Sequence, residues 1–100
     1  MSAQRQLPAA RDEAALIARI TAGEKTLCHE LIRPYEHMVY LAAYSVLRNP
    51  ADAEEVAQET LLKALTKLRQ LRAGDRFKGW VLQIAFNEAR KRRPKDHKHL

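Results

Sequence analysis

Asn49-Pro50-Ala51-Asp52-Ala53-Glu54-Glu55-Val56-Ala57-Gln58-Glu59-Thr60-Leu61-Leu62-Lys63-Ala64-Leu65-Thr66-Lys67-Leu68 reads as a capped amphipathic helix. Asn49 suits the N-cap, and Pro50 suits the first helical position, where a missing N–H costs nothing. Ala57, Leu61, Ala64, Leu65 and Leu68 recur on one face, which predicts a long helix from Ala51 to about Leu71. Acids Asp52, Glu54, Glu55 and Glu59 fill its start, and Lys63, Lys67, Arg69 and Arg72 fill its end. That order complements the helix dipole.

Helical signals continue on both sides. Upstream, Asp12 can cap a short helix whose stripe is Leu16, Ile17 and Ile20, and Gly23 permits a left-handed exit. From about Lys25 to Arg48, Leu27, Leu31, Met38, Val39, Ala42 and Val46 recur at helical spacing. Pro34 lacks an N–H and clashes with the preceding turn, so this stretch should kink or split. Downstream, Ala73-Gly74-Asp75 breaks the pattern, Asp75 is placed to cap a last helix from about Phe77 to Arg93, and Pro94 ends it. Met1 to Arg11 lacks periodicity and is expected to be a flexible leader, with 12–94 the folded domain and 95–100 the start of a linker or tail. The fold expected is all-α, a compact helical bundle of about four to five helices.

Composition agrees and narrows the function. One hundred residues allow one domain, and three Gly and four Pro among many Ala, Leu, Glu, Lys and Arg disfavour sheet. The net charge of +6 is unevenly spread: Met1–Thr60 carries −3 and Leu61–Leu100 carries +9. The basic half is the natural candidate for a polyanion, and the acidic half needs another partner. The lone Cys28 excludes an internal disulfide and suits a reducing cytoplasm. No apolar run approaches the ~20 residues needed to span a bilayer. There is no Gly-rich phosphate loop, no metal-binding Cys pair and no interpretable Ser/His/Asp set, so neither an enzyme nor a cofactor is expected. Cys28, His29, His97 and His99 could bind zinc only if the fold gathered them, which their positions disfavour.

Two surfaces carry chemistry. At about 100° per residue, Glu55, Gln58, Glu59 and Leu62 leave the long helix on a side away from its apolar face. Such a stripe is either a solvated first turn or a docking surface with an apolar centre and polar rim. On the last helix, Val81, Leu82, Ile84, Ala85, Phe86 and Ala89 form a wide apolar arc, leaving a lane of Gln83, Asn87 and Arg90 with Trp80 at its border. Arg72, Arg76 and Lys78 precede the lane, and Arg90, Lys91, Arg92, Arg93 and Lys95 end it. Cations attract phosphates, an indole can stack on an unpaired base, and amides can pair with a base edge. The same set could instead be a core aromatic pair and a solvated basic tail.

Asp52 to Leu65, Asp-Ala-Glu-Glu-Val-Ala-Gln-Glu-Thr-Leu-Leu-Lys-Ala-Leu, followed by Phe77 to Asn87, Phe-Lys-Gly-Trp-Val-Leu-Gln-Ile-Ala-Phe-Asn, closely resembles sigma region 2 of extracytoplasmic-function (ECF) factors in the sigma-70 family. The resemblance runs from about Glu24 to Pro94. It implies a transcription initiation domain that docks on the β′ clamp helices of core RNA polymerase and recognises and helps open the promoter minus-ten element. It puts Glu55, Gln58 and Glu59 at polymerase-binding positions, with Leu62 as their apolar neighbour. It puts Asn87 and Leu71 around an unstacked promoter base, preferentially on the nontemplate strand, with the segment after Arg90 as a lid. Housekeeping members carry adjacent tryptophans as a melting wedge, whereas Val81 follows Trp80 here, so opening should depend on an easily melted sequence. Such factors continue into a second helical domain that reads the minus-thirty-five element, and this domain is expected to be absent from a chain ending at Leu100. The resemblance implies a cytoplasmic, nucleoid-associated protein and leaves open an anti-sigma factor as a further partner. The alternative is a helical repressor or accessory factor binding duplex DNA through Arg90 to Lys95. A third reading is a purely protein-binding bundle.

Overall fold

Local capping sets where the helices begin. In the computed structural model, which describes residues 12–72 and 76–93, the Asp12 carboxylate accepts from the Ala15 N–H at 3.1 Å and starts α1, Glu13–Thr21. Leu16 and Ile20 are buried, Ile17 is half-buried, and Gly23 leaves the helix at φ +121° as expected. A 3-10 turn, Lys25–Leu27, leads into the single-turn α2, Cys28–Ile32. The Lys25–Arg48 stretch does split at Pro34: a 3-10 turn at Arg33–Tyr35 intervenes before α3, Glu36–Leu47. The proline has no N–H to continue the α ladder, so the chain restarts one turn later.

The described residues divide into two units between Arg33 and Pro34. In the first, α1 packs against α2 and the turn before it, and Leu31 is fully buried. An Arg19–Glu24 ion pair at 2.8 Å lies across the end of α1 and holds the Arg19 guanidinium above its usual pKa.

The second unit contains α3, α4 (Pro50–Thr66) and α5 (Phe77–Arg92), each packed on the other two. Arg48 closes α3 in the left-handed region at φ 54°, its N–H donating to the Tyr44 carbonyl at 2.8 Å. Asn49 then caps α4 by accepting from the Asp52 N–H at 2.9 Å, with Pro50 at the first position. Two residues therefore turn one helix into the next. The seam among the three is built of small side chains, Ala43, Ala53, Val56 and Ala89, flanked by Tyr40, Tyr44, Val46 and Leu47. Alanine lets helix axes approach closely, and the close-packed contacts it leaves are filled by its neighbours. Phe77, Val81 and Ala85 extend the buried face of α5, and Val39 that of α3.

One boundary differs from expectation. α4 stops at Thr66, not near Leu71: Lys67 leaves helical geometry, Leu68–Gln70 forms a 3-10 turn, and Leu71 is extended. Leu68 stays buried because the tighter turn keeps it on the core side. α5 ends at Arg92, and its N-cap residue, Arg76, makes no side-chain cap hydrogen bond. Asp75 and Pro94, expected to bound this helix, lie outside the described residues, as do the 1–11 leader, Lys95 and the histidines of the tail. The described residues contain five α-helices, three 3-10 turns and no strand, and no described helix is long and apolar enough to cross a membrane.

Candidate functional site

On α4, the apolar face turns inward as its periodicity requires: Ala57, Leu61 and Ala64 are buried and Leu65 is half-buried. The opposite face is then forced outward. Glu55, Gln58 and Glu59 are exposed, and Leu62 is 66% exposed, one of two large exposed apolar side chains among the described residues. The other, Leu41 on α3, was not distinguished in sequence, where it sits within an apolar run. Beside Leu62 an open groove of about 360 Å³ is lined by Glu59, Lys63, Thr66, Lys67 and Glu88. The walls are largely apolar because the stems of the long side chains form them.

One wall is held by charge. Lys63 of α4 donates to Glu88 of α5 at 2.9 Å, and Lys91 approaches the same carboxylate oxygen at 3.1 Å. The bond from Lys63, reinforced by Lys91 and opposed by partial burial, holds the Glu88 carboxyl below the usual carboxylate range.

On α5, Gln83, Asn87 and Arg90 are exposed along one lane, and Leu82, Ile84 and Phe86 are half-buried beside it. Trp80 is half-buried, tilted against Phe77 at 6.0 Å between ring centroids, while Phe77 is buried and meets Tyr35 at 5.3 Å. Phe77 is thus the core anchor and Trp80 the border residue. Arg90 donates to the Asn87 side-chain oxygen at 3.1 Å and lies over the Phe86 ring. Arginine can only donate, so the Asn87 Oδ1 accepts in this bond and its Nδ2 amide takes no part in it. Arg76, Lys78, Lys91 and Arg93 are exposed, and Leu71 is half-buried in extended backbone before the lane.

Read from sequence, the acidic stripe and the basic run are separate surfaces; the fold joins them. The Arg92 guanidinium crosses from the last turn of α5 to hydrogen-bond Glu55, with Glu59 3.7 Å away. Glu55, seconded by Glu59 and the more distant Asp52, raises the Arg92 pKa further above neutrality. Spacing along either helix could not have shown this pair, because it depends on how α4 and α5 pack. Cys28 is half-buried, and no group of three His, Cys, Asp or Glu among the described residues is placed to hold a metal.

Residues 31–98 match the family described as Sigma-70 region 2. The chain belongs to the sigma-70 region 2 family. Two of the three relatives reported below carry the ECF designation that the two motifs implied. This region 2 chain is 31% identical over 87 residues to RNA polymerase sigma-H factor of Pseudomonas aeruginosa, covering 81% of this chain and 45% of that one. It is 26% identical over 82 residues to ECF RNA polymerase sigma factor SigW of Bacillus subtilis, covering 78% and 44%. It is 32% identical over 77 residues to ECF RNA polymerase sigma-E factor of Haemophilus influenzae, covering 76% and 40%. The region 2 chain therefore spans less than half the length of the curated relatives it matches.

Proposed function

We propose that this chain binds core RNA polymerase and presents a minus-ten recognition surface, the chemistry of RNA synthesis belonging to the polymerase. Glu55, Gln58, Glu59 and Leu62 form the polymerase face, directed at the β′ clamp-helix coiled coil. The observation that carries this assignment is Leu62, 66% exposed and lining an apolar-walled groove together with Glu59. An apolar centre with a charged rim suits a partner helix that brings arginines and a dry contact.

The lane of α5 supplies the promoter face. Asn87 reads the edge of an unstacked base, Leu71, Trp80 and Gln83 border it, and Arg76, Lys78, Arg90, Lys91, Arg92 and Arg93 meet phosphates. Extruding a base costs a few kcal/mol, so edge contacts and phosphate contacts together offset that cost. The reading puts the protein in the cytoplasm at the nucleoid and leaves open an anti-sigma factor as a further partner.

Titrating the chain against the isolated β′ clamp-helix coiled coil, with Glu59→Lys as the paired control, tests the assignment. Binding that Glu59→Lys abolishes, with its helical circular dichroism unchanged, is expected. No binding by a folded sample would overturn it and leave the duplex-binding repressor as the better reading.

A further inference from the structure

Glu55 and Glu59 lie one turn apart on α4, and in the free chain they already hold a guanidinium, that of Arg92. We infer that Arg92 is an internal stand-in for a basic side chain of the docking partner. Docking exchanges one cation for another and releases Arg92 to a nucleic-acid phosphate. The inference rests on the polymerase and promoter faces proposed above and adds a link between them.

The geometry suits exchange and not a permanent lock. The Arg92 side chain keeps 33% of its exposure, and those of Glu55 and Glu59 keep 58% and 54%. Water and a partner can therefore reach all three groups, and ion pairs of this exposure contribute little to folding. By contrast, Lys91 is paired within its own helix to Glu88, and Arg90 is turned toward Asn87 and Phe86. Arg92 is the member of the run that crosses to the acidic stripe. While it does so, a phosphate approaching it would also approach two carboxylates, and like charge opposes that approach. The free chain is thus short of one phosphate contact, and its acidic stripe is partly neutralised.

A partner cation seated on Glu55 and Glu59 removes both effects at once. Thermodynamic linkage makes the consequence reciprocal: if docking strengthens strand binding, strand binding strengthens docking by the same factor.

Binding of a short oligothymidylate to the 100-residue chain across a salt series tests the inference. Glu55→Gln with Glu59→Gln keeps the shapes and removes the charges at exposed positions, so the fold is retained. The expected result is tighter binding, with the slope of log affinity against log salt steeper by about 0.7, one further phosphate contact on a single strand. In an Arg92→Ala background the same two substitutions should leave the slope unchanged. Equal changes in both backgrounds would show a general effect of charge and overturn the exchange, as would no change in either. Adding the clamp-helix coiled coil should raise oligothymidylate affinity for the wild-type chain and not for Arg92→Ala. Failure of the coiled coil to bind would remove the docking partner while the oligothymidylate series still decides the role of Arg92.

Discussion

The hydroxyl of Thr60 is fully buried midway along α4 and has no hydrogen-bond partner among the described residues. Leaving such a group unpaired costs about 1–3 kcal/mol. Thr60→Val keeps the branched shape and removes the oxygen, so it should stabilise the chain by about 1 kcal/mol, read as a higher urea midpoint at unchanged m-value. A lower midpoint would mean that the hydroxyl is satisfied in solution. Thr60 also shows where reading by residue type stops. Leu61, Ala64 and Leu68 declare the buried face through their chemistry, and Leu62 is exposed because it falls outside that arc. A threonine within the arc looks polar, and only the packing of three helices reveals it as core. The Asn87–Arg90 bond is similar, since a three-residue spacing permits the contact without dictating it.

Between elements, the Lys63–Glu88–Lys91 cluster ties α4 to α5. Its carboxyl has a folded pKa below the unfolded one, so its contribution to stability is fully present above the usual carboxylate range. It is lost as pH falls through that range to the depressed folded value. Thermal melts on an acid series should show this loss in the wild type and a shallower acid limb in Glu88→Gln. Parallel limbs would show that the cluster adds nothing to the folded state. Helix starts were legible because caps are local: Asp12 and Asn49 accept the bonds their positions predict. The end of α4 was not, because a 3-10 turn leaves Leu68 on the buried side and the apolar rhythm runs on past the last α turn.

For the molecule as a whole, the charge split of −3 and +9 separates acidic from basic residues along the chain but hides their meeting at Arg92. Contacts of this kind join residues 37 positions apart and follow from interhelix packing, which no local pattern encodes. The promoter reading predicts that the chain binds a minus-ten nontemplate single strand more tightly than the duplex of the same sequence, measured by fluorescence anisotropy at fixed salt. The reverse order would favour the repressor. The alanine-lined seam of α3, α4 and α5 has a mechanical consequence for that encounter. Three of its four buried members are alanines, which have no rotamers to exchange, so on the promoter reading the lane on α5 is a stiff template. A strand laid on it must do the bending, and promoters would then be sorted by how easily their bases yield as well as by which bases they are.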